Sequence, residues 1–198
     1  MRIPAVEPEH RPAEINEDVS REDIVAAFSA AMIGHFRSHT PGTNINEATL
    51  IASDYLNHFH ELVMLLEAVS SEPKDFADDL LSWRPLTYEE HFSESGFRDK
   101  NLAIAAYRRA PSHIRAHFDE AVARLHGEAL SLVAGVAGEL AEGKSDLTKI
   151  CEDAAARLRV LIDDANAIAN GEVPAGRADP GQPGEVSGQA AIDALFGR

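Results

Sequence analysis

Four residues between positions 54 and 61 have the types and the spacing to act together. Asp54, Asn57, His58 and Glu61 stand at i, i+3, i+4 and i+7, so on a helix they share one polar stripe, with Leu50 and Leu65 closing its two ends. A helix-borne amide can orient a water for attack on a phosphoryl group, and an acid one turn away can fix the pose by engaging a basic group. Asp54 and Asn57 meet that requirement and form the candidate catalytic pair. The competing reading is a solvated flank, or a pair that hydrogen-bonds a neighbouring helix.

Other side chains invite different chemistry. His60, followed by Glu61, falls on the opposite polar flank beside Ser53 and Glu67, where an exposed imidazole could accept a phosphoryl group. His113, His117 and Glu120 have first-row metal spacing, but they lie off the apolar face of their helix and lack a second Glu-x-x-His pair. They read as solvated surface, and no metal or other cofactor is expected. Cys151 falls on an apolar seam and reads as a buried structural thiol.

The elements that must position these residues are all helical. The stripe belongs to an expected helix running from Asn44, with Glu47 answering its cap, to Ser70-Ser71-Glu72-Pro73. Tyr55, Phe59, Leu62, Leu66 and Val69 give it a core face. Before it, Ser20 and Asp23 form a capping-box pattern opening a helix that ends near His39, ahead of Thr40-Pro41-Gly42. Ile24, Ala27, Phe28, Ala31 and Phe36 keep helical spacing along it. After it come a short helix over Lys74–Trp83, a capped turn at Thr87/Glu90 continuing through Tyr88, His91 and Phe92, and another short helix over Lys100–Arg109. The aromatic density of this connection predicts that it packs over the bundle.

A long helix over 112–142 carries apolar Ile114, Phe118, Ala121, Leu125, Ala129, Leu132, Val136 and Leu140, with Gly127, Gly135 and Gly138 inside it as candidates for close packing. The last helix, 146–169, alternates steps of four and three through Leu147, Cys151, Ala154, Leu158, Leu161, Ala165 and Ile168, a heptad seam. The short turn between the two predicts an antiparallel hairpin. No stretch alternates with period two. The expectation is an all-α bundle of about four principal helices over 18–171, after a lead-in at 1–17 that lacks any period.

Composition narrows the function classes. The chain has 198 residues, 44% hydrophobic and 26% charged, with a net charge of −15. Such an acidic surface repels phosphate backbones, which argues against nucleic-acid binding. A single cysteine excludes an internal disulfide, the N-terminal stretch MRIPAVEPEHRPAEINE has no apolar signal core, and no run approaches the length of a membrane span. A cytoplasmic protein with no membrane insertion is expected, and a homodimer is left open.

Residues 172–188, EVPAGRADPGQPGEVSG, have the composition of a flexible linker. The chain then ends QAAIDALFGR, with Ile192, Leu195 and Phe196 on one face of a short amphipathic segment, the pattern of a docking peptide. Gln189, Ile192, Asp193, Ala194 and Leu195 match the SQ-x-x-IDALF ending of CheZ-type chemotaxis phosphatases, and the segment also resembles the N-terminal peptide of the flagellar switch protein FliM. In both families that peptide binds the phosphorylated receiver CheY, a protein phosphorylated in a Mg-dependent site. Gly188 stands where the capping Ser is usual, and Ala190-Ala191 replace an acidic pair. Asp146-Leu147-Thr148 is similar to the DLT of the CheZ active-site helix, but Lys149 and Ile150 follow and the family's glutamine has no counterpart. The resemblance implies a chemotaxis or motility signalling protein that binds a CheY-like receiver through Gln189, Ile192, Asp193, Leu195 and Phe196. If the bundle also dephosphorylates the receiver, Asp54 and Asn57 carry the reaction. The alternatives are a helical adaptor without chemistry and, behind it, a metal-binding helical protein.

Overall fold

A computed structural model describes residues 20–142 and 147–172. The lead-in, the linker from residue 173 on, the terminal peptide 189–198 and the expected Ser145 cap with Asp146 lie outside the described residues. Among the described residues seven α-helices follow one another: α1 (Arg21–His39), α2 (Asn57–Ser71), α3 (Pro73–Ser82), α4 (Tyr88–Glu94), α5 (Lys100–Tyr107), α6 (Ser112–Glu142) and α7 (Leu147–Ala169). No strand occurs among the described residues; the one sheet-like feature is an isolated bridge between Ile45 and Ala52. The fold is the all-α bundle that the periodicities predict.

The capping boxes hold as read. Ser20 and Thr87 each accept the backbone N–H of the residue three positions on, and Asp23 and Glu90 return a bond to the cap backbone. The apolar stripe is fully buried at Tyr55, just ahead of α2, and at Phe59, Leu62, Leu66 and Val69 along it. The α7 seam is buried at Cys151, Ala154, Leu158, Ala165 and Ile168, and α6 faces it with Phe118, Ala121, Leu125, Ala129 and Val136.

Cross-links between helices fix their directions. Arg124 pairs with Asp164, and Arg157 with Glu128, so α6 and α7 run antiparallel. Thr49 Oγ1 donates to the Ala169 carbonyl at 2.6 Å, Arg159 pairs with Glu67, and Thr148 Oγ1 donates to the Ser70 carbonyl at 3.4 Å. Approach to α2 thus proceeds backward along α7, leaving α2 parallel to α6. At its far end α7 stops in a Schellman motif: Gly171, at φ +89°, donates to the Ile168 carbonyl and Glu172 to that of Ala167.

Two expectations are corrected. Helix α2 begins at Asn57, not Asn44. Asn46 Oδ1 accepts the backbone N–H groups of Ala48 and Thr49, an Asx turn that competes with helix. Leu50 then takes a left-handed φ of 60°, its side chain wholly buried, and Ser53–Leu56 forms a 3-10 turn. Leu50 therefore belongs to the core and not to the polar stripe. Secondly, Gly127, Gly135 and Gly138 of α6 do not serve close packing: a methyl group at each would meet nothing within 4 Å. Of the four long helices, α2, α6 and α7 bury residues in the core, joined there by Leu80 of α3, Tyr88 and Phe92 of α4, and Ala103 and Ala106 of α5. No residue of α1 is buried; Ile33 and Phe36 touch the core edge while Ile24 and Phe28 are 58% and 60% exposed.

Candidate functional site

The late start of α2 divides the polar stripe. Asp54 sits in the 3-10 turn, half-buried, with Oδ1 accepting from Asn44 Nδ2 at 3.2 Å. Asn57 caps that turn and opens α2; its side chain is exposed and makes no hydrogen bond to the described residues. Glu61 is exposed one turn further on. These three remain on the surface, and Asp54 with Asn57 keeps an acid and an amide one turn apart.

His58 leaves the group. Its side chain is only 6% exposed, and its ring stacks on the Trp83 indole with centroids 4.8 Å apart and planes 17° from parallel. Trp83 is fastened in turn, its Nε1 donating to the His58 carbonyl at 3.3 Å. Thus the strap between α3 and α4 closes over a flank that the helical wheel makes polar. Burial drives the His58 pKa down to about 4, so the ring is neutral near pH 7. Its Nε2 is buried without a hydrogen-bond partner in the described protein.

Two histidines not placed in the candidate site lie beside it. His91 of α4 is 6.2 Å from His58 ring to ring, and His126 of α6 is hydrogen-bonded to Tyr55 Oη at 3.1 Å. Tyr55 donates its proton to the Leu86 carbonyl at 2.8 Å, tying the same strap to the core. Burial lowers the pKa of both histidines, with the Asp54 carboxylate and carbonyl pulling His91 the other way. Nothing in their local sequence marks them, since they come from helices joined to α2 only by tertiary packing.

The remaining candidates are dispersed. His60 is exposed on the far flank as expected. His113 and Glu120 lie on the surface of α6, with His117 half-buried. Among the described residues no group of three or more His, Cys, Asp or Glu side chains is arranged to hold a metal ion. Cys151 is fully buried at the seam, and burial raises its thiol pKa, which disfavours the thiolate. The partner-binding residues Gln189, Ile192, Asp193, Leu195 and Phe196 lie outside the described residues. No described helix is long and apolar enough to cross a membrane.

Comparison with other proteins adds no relative: no family model matches the chain, and neither curated proteins nor solved structures give a significant match.

Proposed function

We propose that this protein is a signalling component of bacterial chemotaxis or motility that captures a phosphorylated CheY-like receiver through its C-terminal peptide. The observation that carries the reading is the sequence Gln189-Ala190-Ala191-Ile192-Asp193-Ala194-Leu195-Phe196, set behind a linker rich in Pro and Gly. A peptide with one apolar face suits a receiver groove, and the tether holds a captured receiver near the bundle at high effective concentration. A partner of this kind puts the protein in the cytoplasm.

The surface pair at the start of α2 supports a catalytic extension of this reading. In hydrolysis of an aspartyl phosphate, water attacks phosphorus, the bond to the receiver's carboxylate oxygen breaks, and inorganic phosphate leaves. Asn57 would orient that water with its free carboxamide, and Asp54 would engage a basic group of the receiver through the oxygen not held by Asn44. The Mg ion of this chemistry belongs to the receiver. The buried, neutral His58 has no part in the step.

Decay of a phosphorylated receiver, followed with the intact protein, with Asn57→Ala and with Leu195→Asp/Phe196→Asp, tests both parts. The expected result is faster decay with intact protein, loss of the acceleration in Asn57→Ala with binding kept, and loss of binding in the tail variant. Binding without acceleration would leave an adaptor. Failure of the intact protein to bind any phosphorylated receiver would overturn the reading.

A further inference from the structure

The outer surface of α1, with Ile24, Val25 and Phe28 more than half exposed, is left uncovered by the described residues and borders a groove. Phe28, Met32 and Ile33 form one wall, and Arg109, Pro111 and Arg115, at the junction of α5 and α6, form the other. The groove encloses about 280 Å³, below the 300–1,000 Å³ typical of small-molecule pockets. It suits a few side chains of a peptide better than a whole ligand. Its character is apolar with a basic rim, on a protein whose net charge is −15.

We propose that the chain's own C-terminal peptide, residues 189–198, seats in this groove. Ile192, Leu195 and Phe196 would cover Phe28, Met32 and Ile33, while Asp193 faces the arginine wall. Two observations favour this occupant. The first is complementarity: the peptide offers three apolar side chains and one acid, and the groove offers an apolar floor and a basic rim. The second is reach. The last described residues sit against the loop that also receives α1, because Thr49 binds the Ala169 carbonyl while Arg37 donates to the carbonyls of Glu47 and Ala48. From Arg37 back to Phe28 is nine residues of helix, roughly 14 Å at 1.5 Å per residue. The sixteen residues 173–188 have a root-mean-square span of roughly 20–24 Å if they behave as a flexible linker. A tether whose span is close to the distance required gives the greatest effective concentration, of millimolar order, so even weak complementarity fills the groove.

The seat does not depend on the receiver reading. Where a receiver does bind the same apolar residues, it must first displace them from α1.

Amide hydrogen exchange on the full chain tests the seat, comparing the natural sequence with Leu195→Asp/Phe196→Asp at two protein concentrations twentyfold apart. Both substitutions lie in the tail, so α1 itself is unaltered. The expected result is exchange over residues 24–33 about three- to tenfold faster in the variant, at either concentration, with residues 57–71 unchanged. Added synthetic peptide of sequence 189–198 should restore the protection at millimolar concentration. Equal exchange in the two proteins would overturn the seat. So would protection that rises with protein concentration, which would assign the groove to a second copy, or protection unaffected by the tail and lost on removing residues 1–17, which would assign it to the N-terminal lead-in.

Discussion

Helix α7 has a sharply defined apolar face and buries most of its seam, whereas the apolar residues of α1 are less sharply segregated and none of them is fully buried. Helix α7 packs along both α6 and α2, with Thr49 of the loop preceding α2 and Glu67 of α2 tied to it, so most apolar residues on its seam are covered. The apolar residues of α1 recur at helical spacing without forming a heptad seam, the chain turns away at Thr40-Pro41-Gly42, and only Ile33 and Phe36 touch the core edge. Periodicity therefore predicts that a helix has a face; it does not predict that the face is covered. A covered face and an open one should also respond differently to mutation.

The largest contrast is in the core. Phe59→Ala should cost about 3–5 kcal/mol, because a wholly buried ring leaves a cavity. Phe28→Ala, at 60% exposure, should stay within about 0.5 kcal/mol in global unfolding by urea. Comparable losses at the two sites would mean that α1 is covered in the folded monomer by more than a weakly held peptide.

The next effect is pH dependence under the α3–α4 strap, where α1 has no counterpart. The unfolded chain protonates His58 as pH falls through about 6.5, whereas the folded protein does so only near about 4. The unfolded state thus binds more protons in that window, and stability declines as pH drops from 6.5 towards 4, by on the order of 3 kcal/mol. The lowered values of His91 and His126 act in the same direction. His58→Phe keeps an aromatic ring against Trp83 and removes the titration, so its stability should fall less steeply over that range. An unchanged slope would show that His58 is not the group responsible.

Removing the caps sharpens the same comparison at about 1 kcal/mol. Thr87→Ala should lower global stability, since α4 carries buried Tyr88 and Phe92. Ser20→Ala should loosen α1 amides in hydrogen exchange and leave the urea midpoint almost unmoved. The smallest effect is expected at the ion pair of Arg159 with Glu67, where both side chains are about half exposed. Glu67→Gln should cost under about 1 kcal/mol, and that cost should shrink as added salt screens the pair.

Much of this molecule was legible from residue order alone. The burial of Tyr55, Phe59, Leu62, Leu66 and Val69, the seam through Cys151 and Leu158, and the boxes at Ser20 and Thr87 all rest on local spacing, because one helical turn brings the interacting residues together whatever surrounds them. The start of α2 departs from the helical periodicity for a reason also written locally, the side chain of Asn46 competing for the backbone of Ala48 and Thr49. What sequence could not decide is where long-range partners meet. His58 shares a wheel face with Asp54 and Asn57, and only the arrival of Trp83 from the α3–α4 strap turns it from a surface base into a buried neutral ring. His91 and His126 join it from separate helices, and Phe28 is exposed because nothing described reaches it. Local geometry fixes which side chains lie together on a face. Which faces are shielded from water, and hence which groups keep their charge, depends on the packing of segments tens of residues apart, and that was settled by tertiary structure.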